Sequence, residues 1–559
     1  MHKKLKVGLI IDSYKINKDV ANLINQCKIN SNYEISHFII YDFKDINSFA
    51  NKFLKYITSK KKLFRLIDVI FFNIIVKFEN ILLSKLKTNS QDLNLDIRQN
   101  YNIKQINIKP IISKSGYIFT FNNEDLNLLR NENFDILIRC GSGILKGEIL
   151  KLPKFGILSF HHGDNKFFRG GPAGFWESYY FVNETGFIIQ RLTDELDGGI
   201  ILFRGSIPTS WFYKLNQEMI LKYSSIHLHY VIQKLAIEEF NITSQNIHLS
   251  IYSNKLYSVP DLNTSLKYLF KLTYRILKKI THRLIGRKTY WGIALGRNSF
   301  NSFVFWKSKI IKHPKTDFIA DPFIIKKGAE FFLICEEYNF KISKAHISAF
   351  KIYNINKLEY LGPVLNESFH LSFPFVFEYD NKYYMTPESF QNNDIRLYET
   401  NTFPFDWKLK KVIFNNVSAA DTIIFQFGNL WWLFTNIDST GGSNHHSELH
   451  AFYSDDPINS EWISHNSNPI KFSSFGGRNA GVFKKNGKVF RCGQNQGIDN
   501  YGKSFSIFEI IELNPDVYIE KLVSNVNPNF FENITGTHHL SNIDDLYAID
   551  FKYNKYFQF

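Results

Sequence analysis

Two groups of side chains in this 559-residue chain have types and spacings that could do chemistry. The first runs from Ser159 to Gly199. It reads Ser159-Phe160-His161-His162-Gly163-Asp164-Asn165, then Arg169-Gly170-Gly171-Pro172, then Leu196-Asp197-Gly198-Gly199. Residues i and i+2 of a strand face the same side. Ser159 and His161 therefore point together into one cleft at a strand's C-terminal end, where open α/β sheets place ligands, and His162 points to the opposite face. The Arg-Gly-Gly-Pro loop can bring backbone donors close to a ligand, and Asp197 can reach back to the imidazole. A Ser-His-Asp hydrolytic triad is formally available, but the strand context lacks the nucleophile elbow of such enzymes. The bland alternative makes Ser159 and His161 buried polar residues of an inactive scaffold.

The second group lies in the C-terminal half. Asp321, Asp421, Arg478 and His538 recur at comparable places in a repeat described below, with Glu337 and Glu388 at strand ends close by. Converging carboxylates are what glycoside cleavage requires, one as acid and one as base. The alternative is that they are paired with the cations inside a channel, as buried charges usually are. No metal is expected. The four cysteines Cys27, Cys140, Cys335 and Cys492 lie too far apart for metal-ligand or redox spacing, which fits free thiols in a reducing compartment.

The elements that must position these groups divide the chain. Residues 1–255 alternate short apolar runs (Val7–Ile11, His37–Tyr41, Asp135–Cys140, Gly156–Phe160) with periodic segments, the pattern of a mainly parallel α/β sheet. Within it, residues 50–105 read as a basic helical insertion. Residues 256–292 hold a basic amphipathic helix in which Leu266, Leu269, Phe270, Leu277, Ile280 and Leu284 form one stripe. Such a helix serves as an interdomain linker or lies on an anionic membrane surface. Residues 293–559 repeat a polar cluster, an apolar strand, a turn and an aromatic strand, starting at Asp321, Phe373, Asp421, Asn479 and His538. Steps of roughly 50–60 residues between short-strand units predict a five-bladed β-propeller whose first strands line the channel.

Bulk composition agrees with a multidomain globular protein: 44% hydrophobic, 21% charged, 16% aromatic. The formal charge of +15 suits a phosphorylated substrate or an anionic lipid surface. Nucleic acid is not expected, because the aromatics follow the blade period instead of interleaving with Lys and Arg along a platform. The apolar run after Met1-His2-Lys3-Lys4 is too short for a signal peptide. The segment 63–86 is broken by Arg65, Asp68, Lys77 and Glu79 and so does not span a bilayer. The expected location is cytoplasmic, with peripheral contact of 50–105 and 266–288 with the inner membrane face.

The first group resembles the core of the formyltransferases that use 10-formyltetrahydrofolate. His161 stands eight positions before Arg169-Gly170, as the family's catalytic histidine does. Asp197 takes the aspartate's place, and Glu184-Thr185-Gly186 adds a further landmark. The resemblance implies transfer of a formyl group to an amine, with His161 stabilising the oxyanion or passing a proton and Asp197 orienting the imidazole. It also implies 10-formyltetrahydrofolate as cofactor, lined by Arg139, Gly141, Gly143 and Asp197, with Arg169, Gly170 and Gly171 as the substrate loop. Ser159 departs from the family's Asn and reaches less far, so that substrate sits closer, a water intervenes or the chemistry differs.

The second half resembles five-bladed propellers of the arabinanase and xylosidase type. It is more similar to the N-terminal domain of glucosamine inositolphosphorylceramide transferase, through Ala320-Asp321-Pro322, His370-Leu371-Ser372-Phe373-Pro374, Tyr384-Met385-Thr386-Pro387-Glu388, Phe403-Pro404-Phe405-Asp406-Trp407 and Arg478-Asn479-Ala480-Gly481. Arg478 stands where the hydrolases carry their general acid. Three functions follow as expectations: formylation of an amino sugar, as sugar nucleotide or glycan, with the propeller holding the glycan; glycoside hydrolase or glycosyltransferase activity in the propeller beside an altered formyltransferase-like domain; or a non-enzymatic glycan-binding adaptor at a membrane.

Overall fold

The computed structural model describes residues 4–29, 32–43, 60–86, 95–164, 168–195, 198–237, 255–286, 288–298, 302–312 and 317–554. They form two compact units, residues 1–205 with 209–275 and residues 206–208 with 276–559. The division falls inside a helix, Leu262–Leu284, and across the last three residues of a strand, Ile200–Pro208.

Unit 1 is built on β1 (Leu5–Ile11), β2 (Tyr33–Tyr41), β3 (Lys104–Ile108), β4 (Ile136–Arg139), β5 (Ile157–His161), β6 (Glu184–Arg191) and β7 (Ile200–Pro208). Their order across the sheet is β7-β6-β5-β4-β1-β2-β3. Strands β3, β2, β1, β4 and β5 run parallel, and β6 is antiparallel to β5. Near-continuous apolar strands are what a sheet covered on both faces requires. Val7, Leu9 and Ile11 enter one core with Leu23, Ile24 and Leu228, while Ile10, Ile39 and Leu137 enter the other with Leu126 and Leu129. The helices used below are α1 (Lys18–Ile29), α2 (Lys60–Leu86), α3 (Phe175–Tyr180), α4 (Tyr213–Ile237) and α5 (Leu262–Leu284). Of the expected insertion 50–105, residues 50–59 and 87–94 lie outside the described residues.

Unit 2 is all-β. It opens with β8 (Thr289–Arg297) and continues with β9 (Phe318–Lys327), β10 (Glu330–Asn339), β11 (Lys344–Asn354) and β12 (Lys357–Leu365) as one antiparallel sheet. The next sheet is β13 (Ser372–Tyr379), β14 (Lys382–Glu388), β15 (Asp394–Thr400) and β16 (Lys408–Asn415). Then come β17 (Ala419–Phe427), β18 (Leu430–Ile437) and β19 (Glu448–Ser454), edged by Ile463–Ser464 and Lys471–Phe472. A fourth sheet holds β20 (Phe475–Lys485), β21 (Lys488–Gly497), β22 (Asn500–Leu513) and β23 (Tyr518–Val526). The last joins β24 (Leu540–Ile543) and β25 (Leu546–Asn554) to β8 and Lys309–Ile310. The start and end of the unit thus share one sheet, with Thr289 opposite Asn554 and Arg297 opposite Leu546. One strand of each sheet packs on one of the next, β9 on β13, β13 on β17, β17 on β20 and β20 on β24, and β24 packs on β9.

Candidate functional sites

In unit 1 the C-terminal ends of β1, β4 and β5 lie side by side, because β1 pairs with β4 and β4 with β5. Ser159 stands opposite Arg139 in that ladder. It is fully buried, and its Oγ accepts a hydrogen bond from Arg139 Nε (3.1 Å) and donates to the Phe160 carbonyl (3.0 Å). Arg139 also donates through Nη1 to the Gly143 carbonyl. Burial lowers the Arg139 pKa from its usual value. Asp12, at the end of β1, accepts from the backbone N–H (2.8 Å) and the hydroxyl (3.1 Å) of Ser142. The loop after β4 is thereby tied on both sides. Gly143 has φ +84° and a Cβ there would fall 2.4 Å from the Phe119 ring; a Cβ on Gly141 would fall 2.5 Å from Asp12 Oδ1. Close approach leaves no room for a side chain at positions 141 and 143, on either side of Ser142.

His161 ends β5, half-buried, opposite Ile188 of β6. His162 faces inward: it stacks on Phe160 (5.6 Å between centroids), and burial, then His161, lowers its pKa to about 4, so it is neutral near pH 7. Ser159 and His161 share a strand, but the serine hydroxyl serves as an internal partner for Arg139 instead of lining a cleft with the imidazole. Arg139 in turn is a brace for the loop and for Ser159. Asp197 lies outside the described residues. In the loop expected to meet substrate, Arg169–Gly170 pairs with Leu256–Tyr257 as a short parallel ladder. A Cβ on Gly170 (φ +94°) would meet the Tyr257 carbonyl oxygen at 2.1 Å. Gly171 receives Trp176 Nε1–H on its carbonyl (3.1 Å), so the loop is wrapped by aromatic rings.

In unit 2 the first strands share one device. The register of β9 slips at Asp321-Pro322, that of β13 at Phe373-Pro374, that of β17 at Asp421-Thr422 and that of β20 at Ala480-Gly481. These are β-bulges, which re-aim side chains beside functional sites. Asp321 (φ +50°), Phe373 (+44°) and Asp421 (+50°) hold the left-handed region that non-glycine residues avoid, and Gly481 (+115°) holds it in the fourth sheet.

Around these bulges lies a charge cluster. Arg478 donates through Nε to Asp421 Oδ2 (2.5 Å), and through Nη2 to Asp421 Oδ1 (3.2 Å) and Glu388 Oε2 (3.1 Å). Gln494 Nε2 donates to Asp421 Oδ2 (3.0 Å). Arg478 lies 5.1 Å from the centroid of the exposed Tyr501 ring. Asp321 Oδ2 accepts the Phe373 N–H (3.2 Å), and Asp321 Oδ1 is 3.7 Å from His538 Nε2. The other ring nitrogen, Nδ1, contacts Asp550, whose second oxygen accepts the N–H groups of His538 (2.8 Å) and His539 (2.9 Å). Trp291 stacks on His538 at 3.9 Å.

The acids outnumber the cations, and burial decides who keeps a proton. Burial, then the Asp321 charge, raises Glu336 well above the carboxylate range; burial, then Asp421, does the same to Glu388. Burial raises Asp321 to about 6, with His538 opposing. Burial also pushes Asp421 upward, but Arg478 and hydrogen bonds from Arg478 and Glu388 outweigh it and hold the group below its usual value. His538 is raised, because Asp550 outweighs burial. The result is two proton-sharing pairs, Glu336 with Asp321 and Glu388 with Asp421, beside one guanidinium and one imidazolium. Ligand atoms of Asp321, His538 and Asp550 lie within 4.8 Å of one another, a spacing that could hold a cation. The same atoms are bridged by the charged imidazole, which competes with a metal for that role.

Of the residues singled out in this half, Asp321, Glu388, Asp421, Arg478 and His538 converge. Glu337 does not. It faces the other side of β10, where Ser348 Oγ (2.5 Å) and Tyr360 Oη (2.7 Å) donate to it and His346 lies 3.5 Å away. Glu336 takes its place because β10 pairs Glu336 with Ala320, directly before the bulge. The same pairing recurs as Ser372 with Glu388 and Ala420 with Asn436. A fifteen-residue offset from Asp321, Phe373 and Asp421 to Glu336, Glu388 and Asn436 is the signal that finds it. Asp550 and Trp291 carry no such signal. They join the cluster through the sheet that unites both ends of the unit.

Residues 303–538 match the sequence family described as glucosamine inositolphosphorylceramide transferase 1, N-terminal. Two relatives, both glucosamine inositolphosphorylceramide transferase 1, are 34% identical over 209 residues (Oryza sativa subsp. japonica) and 37% identical over 212 residues (Arabidopsis thaliana). Each alignment covers 37% of this chain, and the chain spans only 28% and 27% of those proteins. A methionyl-tRNA formyltransferase of Trichodesmium erythraeum (strain IMS101) is 34% identical over 88 residues, 16% of this chain and 26% of the relative. Among solved structures, the family 117 glycoside hydrolase Zg3597 of Zobellia galactanivorans aligns with 42% of this chain and 83% of its own (12% identity, TM-score 0.30). Glycinamide ribonucleotide transformylase 1 of Symbiobacterium toebii aligns with 42% of this chain and 89% of its own (13% identity, TM-score 0.29).

Proposed function

We propose that this chain is a carbohydrate-modifying transferase. Unit 1 moves a formyl group from 10-formyltetrahydrofolate to the amine of an amino sugar. Unit 2, a five-bladed propeller, holds the sugar at its Asp321–Arg478 cluster. The observation that carries the reading is His161 at the C-terminal edge of β5, next to a glycine-shaped loop braced by Asp12 and Arg139. The donor set at that edge fits a flat heteroaromatic carrier: a carboxylate from Asp12, backbone groups of residues 140–143 and an imidazole. These residues would hold the folate, which supplies an electrophilic formyl carbon when bound. His161 takes the proton that the attacking amine must lose, acting as general base. An amino sugar is the acceptor because the family matched by residues 303–538 bears glucosamine in its name, and its 2-amine is the nucleophile formyl transfer needs.

The Arg478 fork favours a binding role for unit 2 over hydrolysis. A carboxylate held bidentately by a guanidinium is a poor general base, and a sugar hydroxyl can exchange into such hydrogen bonds. The second reading, group transfer catalysed by unit 2 itself, rests on the two proton-sharing acid pairs. One experiment separates them. The 559-residue chain is given 10-formyltetrahydrofolate and glucosamine-bearing acceptors, as sugar nucleotides and as glycolipids; tetrahydrofolate release and the mass of the acceptor are followed. His161→Asn is expected to slow formylation about a hundred- to ten-thousand-fold. No formylation across the acceptors by the folded wild type overturns the proposal.

A further inference from the structure

We propose that unit 1 carries a docking surface for an anionic lipid bilayer, made by the outward faces of α2 and α5. The two helices are tied together from within. The Leu262 N–H, at the start of α5, donates to Asp68 Oδ1 of α2 (2.7 Å), and the Tyr268 hydroxyl donates to Glu79 of α2. Glu79 also accepts the Lys214 N–H of α4 (2.9 Å). Phe72, Ile75 and Leu83 of α2 and Ser265, Tyr268 and Leu272 of α5 are buried, which fixes the inward face of each helix.

The outward faces are apolar where solvent would favour polar residues. On α2, Ile67, Ile70, Ile74, Phe78 and Ile81 recur every three or four residues and are all exposed, Ile74 by 56% and Ile81 by 59%. On α5, Leu262, Leu266, Phe270 and Tyr274 do the same, Phe270 by 75%. Single exposed apolar residues are ordinary; two helical stripes of them are not. Charge selects the occupant. Asp68 and Glu79 are turned toward the protein by the bonds above, and α5 has no acidic residue from Leu262 to Leu284. Within unit 1, Arg65 and Lys77 are exposed along α2 and Lys267 along α5. Lys271 and Arg275 pack their cations on Tyr179 (4.4 Å) and Phe181 (3.6 Å), so these heads sit on aromatic faces at the base of the stripe. An apolar stripe flanked by cations and cleared of acids suits the boundary between headgroups and acyl chains of anionic lipid. No helix among the described residues is long and apolar enough to cross a membrane, so α2 and α5 would lie in the interface plane.

The 559-residue chain is sedimented with vesicles of phosphatidylcholine alone and of phosphatidylcholine with phosphatidylglycerol. Binding is expected to the anionic vesicles, weakening as salt rises. The double variant Ile74→Glu with Phe270→Glu should lower that partitioning by about tenfold or more, since two apolar contacts become charges repelled by the lipid. In the variant Phe270→Trp, which keeps the face apolar, the added indole should shift its emission to the blue on binding and be quenched by bromine-labelled acyl chains. Equal partitioning of both vesicle types, an indole emission that lipid leaves unchanged, or a dimer that the double variant dissolves would each overturn the proposal, the last by assigning the face to a second copy of the chain.

Discussion

Replacing Asp321 by Asn should stabilise unit 2 at pH 8 and leave it nearly unchanged at pH 4. Asp321 is 6% exposed, shares a proton with Glu336 and is held at about 6 against an ordinary 3.8. Below pH 3.8 folded and unfolded chains both keep its proton. Between 3.8 and 6 the unfolded chain releases the proton and the folded one retains it, so stability falls as pH rises. Above 6 the folded carboxyl ionises against its burial, and the full cost of about 3 kcal/mol is present. Asparagine keeps an acceptor for the Phe373 N–H and removes the titration. The gain of Asp321→Asn over wild type should therefore grow from near zero at pH 4 to about 3 kcal/mol at pH 8. Urea unfolding followed by tryptophan emission measures it, because Trp291, Trp306, Trp407, Trp431, Trp432 and Trp462 all lie in this unit. A difference independent of pH, or one that favours wild type more at pH 8 than at pH 4, refutes the proton-sharing pair.

Two further outcomes follow from the same geometry. Arg478→Met should cost unit 2 about 3–5 kcal/mol, since it leaves Asp421 buried without its cation; a lowered urea midpoint at pH 7 that is partly restored at pH 4 checks it. Ser159→Ala should cost unit 1 about 1–3 kcal/mol by stranding Arg139 Nε, and thermal unfolding of the full chain reads this as an earlier transition with unit 2 unmoved.

Much of the architecture is legible in the residues. Apolar runs such as Val7–Ile11 must be covered on both faces, and they are. The repeat from Asp321 to His538 sets out the five sheets in order, because each unit carries its own strand and turn signals. The sites are less legible. Consecutive Glu336 and Glu337 look alike in sequence, and only the register beside the Asp321-Pro322 bulge decides which one meets Arg478's neighbours. Ser159 and His161 satisfy the same-face rule, yet Arg139 captures the serine from the adjacent strand, a contact made between residues twenty positions apart.

The amino-acid sequence by itself determined the local periodicities, the strand-and-turn repeat and the basic stripe, because each is written within one turn or one strand pair. Tertiary structure decided which acids share protons and which cation answers them. Asp550 and Trp291 meet at His538 only because the unit's first and last strands pair across some 250 residues. No short-range pattern encodes that closure. It is set by burying five sheets against one another, and the charges are brought together with them.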